Sequence, residues 1–337
     1  MALIALDTRD AHVPMPHGSG LYVRRLAEAL RARPRDGHEY WLLERGGRGP
    51  ELWWEQVSLP RALRRRGPAL VHSPDSFLPL RRPCPGVVTV HDCAFAAMPE
   101  DLRGLTGWKY RTFVPRAVRS ADRVICPSHF TARDVCERFG ADPSRVRVVP
   151  EAPALARGDA PAPSGPYLLA VGDLRPKKNL RRLVEAFRRL RECGAPHRLV
   201  LAGADVGEGA GLLAAAGEAP VELAGFVSDA RLDALLRGAD LVVMPSLYEG
   251  FGLAAVEAMA RGRPVALARA GALPEVGGDA AAYFDPLRAE DMAETIGALL
   301  QDDERRLELA EAGRRRAAKL SWAATAAATA DVYDELL

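Results

Sequence analysis

The chain has 337 residues, 48% of them hydrophobic and 27% charged, which describes a globular protein long enough for two domains with separate cores. The formal net charge is only +2, but residues 1–150 carry 24 Lys and Arg against 16 Asp and Glu, and the remainder carries 22 against 28. A basic first half can steer acidic substrates or rest on an anionic membrane, or it is simply an arginine-rich solvated surface. Five cysteines, at 84, 93, 126, 136 and 193, form no CxxC or Cys/His metal spacing, and their odd number argues against a disulfide framework. No charged and then apolar leader opens the sequence, and no apolar run approaches ~18 residues. A cytoplasmic protein is expected, with peripheral contact to an anionic membrane at most and no nucleic-acid partner.

An apolar strand at residues 2–7 leads through Gly18-Ser19-Gly20 into a helix whose inward face uses Leu21, Leu26 and Leu30. Val23 breaks the G-x-G-x-x-G pattern and no Walker sequence occurs, which disfavours a nicotinamide or ATP enzyme. The glycine loop is either a plain turn with Ser19 near an N-cap or a cradle for phosphate; its residues alone do not separate the two. Short strands at 40–44, 70–72 and 87–91 alternate with arginine-rich helices at 59–66 and 102–119, the rhythm of a parallel sheet. His91 and Asp92 close the strand at 87–91, where a histidine is either packed and satisfied or functional. A further strand at 123–126 runs into a helix with Ser128 as its expected N-cap. After a strand at 146–149, residues 151–166 are rich in Pro, Ala and Gly, lack periodicity, and read as a linker.

The pattern restarts with a strand at 167–171, the loop from Gly172 to Asn179, and a helix that turns Leu183, Ala186, Phe187 and Leu190 inward, with Asn179 as its expected cap. Lys177 and Lys178 stand just before that helix, where its dipole opposes them. An anion between them is therefore expected, unless they extend into solvent. Strands follow at 198–202 and 241–244, with a helix at 230–237 between them. Pro245 ends the second of these strands, and the loop Glu249-Gly250-Phe251-Gly252 precedes a helix at 253–261 that Gly262 closes in an expected left-handed cap. The two loop glycines let backbone N–H groups approach an anion. Glu249 and Glu257, with seven residues between them, can face one polyhydroxylated ligand, although Glu257 alone could be a solvated helix acid. A strand at 265–268, two helices within 289–319 and an alanine-rich helix at 322–337 complete the chain.

The stretches Glu249-Gly-Phe-Gly-Leu253, Glu257-Ala-Met-Ala260 and Gly262-Arg-Pro-Val265, with Val90-His91-Asp92 and Pro176-Lys-Lys-Asn179, resemble the motifs of glycosyltransferase family 4, retaining GT-B enzymes that use nucleotide-sugar donors. The similarity runs from the first glycine loop to the terminal Ser-Trp helix. It implies an α/β protein of two Rossmann-like domains, doubly wound parallel sheets facing across a cleft. An acceptor domain would span 1–150, a linker 151–166 and a donor domain 167–320, with the helix at 322–337 crossing back onto the first domain.

By the same resemblance, backbone N–H groups at Gly18, Gly20, Gly250, Phe251, Gly252 and Leu253 bind the donor, the diphosphate above all. His91 faces the donor sugar and the reaction centre, with Asp92 orienting it. Lys178 is the principal diphosphate lysine and Lys177 a substitute, because Asp173 stands where many members have Arg. Glu249 holds sugar hydroxyls, Glu257 the ribose, and the backbone near Val227 the base, while Glu275 is structural. The implied reaction moves a hexose, with retention, from a nucleotide-diphosphate sugar such as GDP-mannose or a UDP-sugar to a hydroxyl of a saccharide, lipid-linked or small-molecule acceptor. It needs no metal and no cofactor beyond the donor. Two alternatives share the architecture: a nucleotide-sugar 2-epimerase, and a degenerate nucleotide-sugar binding protein. Glu249→Ala and Lys178→Ala are each expected to abolish turnover with the thermal transition nearly unchanged, and the basic first half points to a lipid-linked or phosphorylated acceptor.

Overall fold

A computed structural model describes residues 1–12, 18–44 and 50–337. The chain forms two compact units, Met1–Ala154 with Leu320–Leu337, and Leu155–Lys319. The first unit contains β1 (Ala2–Asp7), β2 (His38–Leu43), β3 (Leu70–Ser73), β4 (Gly86–Thr89), β5 (Arg123–Cys126) and β6 (Val146–Val148), in the order β2-β1-β3-β4-β5-β6. The second contains β7 (Tyr167–Val171), β8 (Arg198–Ala202), β9 (Val221–Gly225), β10 (Leu241–Met244), β11 (Val265–Ala268) and β12 (Ala282–Phe284), in the order β12-β11-β10-β7-β8-β9. Every neighbouring pair is parallel. Parallel strands are covered by helices on both faces, so they read as unbroken apolar runs; Leu-Val-Val-Met in β10 and Val-Ala-Leu-Ala in β11 are buried at every position.

Strand order locates the ligand sites of such sheets. In the second unit the order reverses between β7 and β10, and in the first between β1 and β3. A crevice opens at each reversal, outside the carboxyl ends of the strands, because the loops leaving the two strands turn to opposite faces.

Helix boundaries follow the amphipathic signals closely. Helix Leu180–Glu192 buries Leu180, Leu183, Val184, Ala186, Phe187 and Leu190 against the second sheet. Helix Leu253–Ala260 is followed by Gly262 at φ 65°, the left-handed turn that its position demanded. Ser128 caps helix His129–Phe139, its Oγ accepting from the Thr131 N–H at 3.1 Å. β4 ends at Thr89, two residues before His91, which therefore lies in the loop beyond the strand. The three-residue β12 was not expected, being too short to carry a period of its own.

The last helix, Trp322–Asp334, belongs to the first unit, where Ala326, Val332 and Tyr333 pack with Ile4, Leu26 and Leu30. Residues 155–160 have no helix or strand but are fastened to the second unit. Arg261 donates to the Leu155 carbonyl at 3.1 Å, Arg157 to the Ala260 carbonyl at 2.6 Å, and the Gly158 N–H to Asp233 at 3.0 Å.

Candidate active site

In the second unit the loops after β7 and β10 leave neighbouring strands at the reversal point and are stitched to each other. The Leu247 N–H donates to the Lys177 carbonyl at 2.8 Å. Asn179, at φ 55°, does not cap its helix as expected; its side-chain amide donates to the Pro245 carbonyl at 3.0 Å and to the Pro286 carbonyl at 2.8 Å. Those two bonds satisfy a buried polar group by joining one loop to the other. The result is an ion pair between Lys178 Nζ and Glu249 Oε1 at 2.6 Å, with Ser246 Oγ donating to the same oxygen at 2.7 Å. Burial would raise the Glu249 pKa, but the charges of Lys178 and Lys177 and the two donated bonds outweigh it and hold the carboxylate below its usual range. The anion that the two lysines called for is thus supplied in part by Glu249.

Two glycines permit this closeness. A Cβ on Gly172, at φ 139°, would lie 2.7 Å from Lys178 Cε, and one on Gly271, at φ 59°, would lie 2.6 Å from the Glu249 backbone N and O. Gly252, at φ 99°, precedes helix Leu253–Ala260 and accepts from the Ala255 N–H at 2.9 Å, and its position carries no side-chain cap. Gly250 and Phe251 are buried beside it, and Leu253 is partly exposed. Glu257 lies on that helix in a separate network: its carboxylate accepts from the Leu155 N–H at 2.8 Å and from Arg261 Nη1 at 2.5 Å, while Arg261 Nε reaches Asp233 at 2.8 Å. Val227 follows the edge strand β9 and packs partly buried against the core, and Glu275 is exposed. Asp173, in the place of the family arginine, lies 3.5 Å from Arg175.

In the first unit, Gly18 takes φ 55° and ψ −121° at the start of helix Ser19–Ala32. His91 is held at both ring nitrogens, Nδ1 2.8 Å from Glu151 Oε1 and Nε2 2.9 Å from the Pro74 carbonyl. The orienting carboxylate is therefore Glu151 and not Asp92, which accepts from the Ala94 N–H at 2.9 Å and starts the next turn of helix. Burial disfavours the charged ring, but the Glu151 carboxylate, Asp75 and the Pro74 carbonyl prevail and push the His91 pKa up to about 9.

A cavity of about 460 Å³ lies at the reversal between β1 and β3, lined by Asp10, Glu51, Asp75, Phe77, Lys109 and Tyr110. Gly20 also lines it, so the glycine loop opens on this cavity. Its lining has three carboxyl groups against one lysine, although burial and the Asp75 carboxylate raise the Asp10 pKa to about 8 and leave that group uncharged at neutral pH. Lys109 is taken up by Glu55 at 2.7 Å and Glu51 at 2.8 Å, with its ammonium 3.9 Å from the centre of the Phe77 ring. The basic balance of residues 1–150 thus does not extend to this cavity. Elsewhere acids from the last helix meet it, Asp331 and Asp334 at Arg35, and Glu335 at Arg123 and Arg147. Among the described residues no group of three His, Cys, Asp or Glu side chains is placed to hold a metal ion, and no helix is long and apolar enough to cross a membrane.

Ser246, Glu151 and Arg261 escaped the sequence reading. Ser246 could have been found from its place three residues before Glu249. Glu151 gave no signal, since it sits 60 residues from His91 in a stretch without periodicity.

Two parallel sheets of this order define an α/β protein of GT-B type. Family models match both halves, one described as Glycosyltransferase Family 4 over residues 16–153 and one as glycosyl transferases group 1 over 157–316. O-antigen chain mannosyltransferase B of Escherichia coli is 30% identical over 290 residues, covering 81% of this chain and 76% of that protein. The chain belongs to glycosyltransferase family 4.

MMP alpha-(1->4)-mannosyltransferase of Mycolicibacterium hassiacum is 33% identical over 66% of this chain and 56% of its own length. D-inositol 3-phosphate glycosyltransferase 2 of Catenulispora acidiphila is 35% identical over 65% of this chain and 57% of its own. The chain thus spans little more than half the length of these two relatives. Among solved structures, sucrose-phosphate synthase from Thermosynechococcus elongatus has a TM-score of 0.77 at 22% identity, covering 100% of this chain and 99% of that one. HepE from Anabaena, in complex with UDP and glucose, has a TM-score of 0.74 at 19% identity, covering 99% and 100%. At these identities the likeness is one of fold.

Proposed function

We propose that this chain is a retaining hexosyltransferase that takes its sugar from a nucleotide-diphosphate donor bound by the second unit. The observation that carries the reading is the Lys178–Glu249–Ser246 cluster at the β7–β10 reversal, beside the N-terminus of helix Leu253–Ala260. Lys178, with Lys177 beside it, neutralises charge that grows on the departing diphosphate, and the N–H groups from Gly250 to Leu253 add to it. Glu249 exchanges its bond with Lys178 for bonds to donor-sugar hydroxyls, Glu257 takes the ribose hydroxyls and the backbone at Val227 the base. With the positive charge supplied by lysines and a helix dipole, the reaction needs no metal. No protein nucleophile is assigned. The acceptor hydroxyl attacks the face that the diphosphate leaves, and a diphosphate oxygen takes its proton.

The first-unit cavity refines the acceptor. Three carboxyl groups and two aromatic rings, with the one lysine already paired, suit the hydroxyls of a neutral saccharide and repel a phosphate. That favours a saccharide acceptor, as the name of the Escherichia coli relative suggests, over an inositol phosphate. A 2-epimerase would need an acid–base pair, and His91, with both nitrogens engaged, has no lone pair to offer.

The test is a thermal-shift screen of the purified protein against nucleotide diphosphates and their sugars in chelator, followed by assay with neutral oligosaccharides. Stabilisation by one base and sugar is expected, since a ligand of the folded state alone raises the melting temperature. Product NMR should then show the donor's anomeric configuration. Absence of any shift in folded protein would move the reading to a degenerate scaffold.

A further inference from the structure

We infer that Glu151 is a positioning residue that holds His91 as a fixed imidazolium, and that the chain's last helix holds Glu151. The inference rests on the place at the reaction centre that the family resemblance implies for His91.

The geometry sets the protons. A carbonyl oxygen can only accept, so His91 Nε2, 2.9 Å from Pro74 O, carries a hydrogen. At Nδ1 the partner is the buried Glu151 carboxylate at 2.8 Å, and the proton between a carboxylate and an imidazole rests on the stronger base, the ring. Both nitrogens then donate, the ring is cationic, and its plane is fixed. Such a residue cannot act as a base; it can only present a fixed charge and ring edge to whatever sits before it.

The groups around the ring agree. Tyr22 meets it edge-on at 4.6 Å from helix Ser19–Ala32, and Asp75, in the loop after β3, adds negative charge. The other nearby histidine does not compete. His72 in β3 is buried between Tyr333 Oη at 2.7 Å and Thr89 Oγ1 at 2.9 Å, and burial followed by the His91 charge lowers its pKa to about 3.

Glu151 is 3% exposed and stands in a segment without helix or strand, so its aim depends on what grips its neighbours. The Val149 N–H donates to the Cys126 carbonyl at 2.9 Å, on the near side. Thr325 Oγ1 donates to the Pro150 carbonyl at 2.8 Å and Trp322 Nε1 to the Pro153 carbonyl at 3.0 Å, both from the last helix. Arg25 completes the grip with two bonds to the Ala154 carbonyl, at 2.9 and 2.6 Å. A helix from the far end of the chain therefore brackets the residue that charges His91.

The experiment compares the full chain with Glu151→Gln and Glu151→Asp, reading the His91 ring by NMR with isotope-labelled histidine, assigned with His91→Asn, and the pH profile of kcat. In wild type the ring should titrate near pH 9 and activity should persist to that pH. Glu151→Gln should bring the titration and the alkaline limb down together, to roughly pH 7, lowering kcat at pH 8 about tenfold. Glu151→Asp should restore most of both. Should Glu151→Gln not fold, Trp322→Phe, which removes one bond from the bracket, should move both readouts the same way by less. An unchanged titration in these variants would overturn the inference. A shifted titration with an unchanged kcat profile would overturn its catalytic half, and would leave the donor site, tested separately by nucleotide binding, untouched.

Discussion

Lys178 and Glu249 are each other's nearest charge, 17% and 10% exposed at the side chain, and this changes what removing either should do. Truncating one member of a buried pair leaves the other desolvated and unpaired, at a cost of about 3 kcal/mol. Lys178→Ala should therefore lower kcat by a factor of about 10²–10³, because charge on the leaving group loses its counter-ion. It should also lower the melting temperature by roughly 5–10 °C, contrary to what solvated side chains would do. Glu249→Gln, which keeps the shape and can still accept from Ser246, should be milder in stability and as severe in kcat. Steady-state kinetics beside calorimetry checks both. Equal melting temperatures for wild type and Lys178→Ala would mean that the pair is loose in solution.

At the scale of elements, the site depends on loops that approach each other more closely than side chains would allow. The Gly271 loop follows β11 and lies on the Glu249 loop, with the Ala272 N–H donating to the Glu249 carbonyl at 2.9 Å. Gly271→Ala would put a methyl 2.6 Å from two backbone atoms at a positive φ, and neither strand-anchored loop can retreat far. A loss of at least about 2 kcal/mol is expected. Because the displaced loop carries Glu249, donor affinity should fall with it, measured by calorimetric titration of the nucleotide sugar. Unchanged affinity would sever the link drawn between the Gly271 loop and the site. The Arg261 network plays a different part, since its bonds to Leu155, Glu257 and Asp233 fix the point where the chain enters the second unit.

At the scale of the whole molecule, the last helix returns to the first unit and changes its charge and its active-site support together. Asp331, Asp334 and the following Glu335, with Glu151, halve the +8 excess of residues 1–150. The charge of the first unit accordingly favours an anionic partner less than residues 1–150 alone do. The helix also carries the grip on Glu151, so the His91–Glu151 pair becomes a property of the folded unit. His91 is raised from 6.5 to about 9 on folding, so its stabilisation is full below pH 6.5 and disappears as pH rises through 9. The melting temperature of the first unit should fall over that interval by the equivalent of about 3 kcal/mol, and His91→Asn should flatten the fall. A wild-type transition independent of pH from 6.5 to 9.5 would contradict the assigned charge.

The sequence by itself determined the units of this fold and the residues of the loop between β10 and its helix. Strand and helix follow from period and capping, which are local, and so residues 2–7, 59–66, 123–126, 167–171 and 241–244 were legible to the residue. Glu249 and Lys178 were legible because each stands in a compact motif at a strand's carboxyl end. Which motifs meet was decided only by tertiary structure. Strand order is set by packing over the whole sheet, and it places β7 beside β10, bringing together side chains 71 residues apart. The same physics made Asn179 a stitch between loops instead of a cap, and gave His91 its carboxylate from Glu151 and not from the adjacent Asp92. A hydrogen-bond partner is chosen by proximity in space, and where the described residues form twelve strands in two sheets that proximity leaves no local trace.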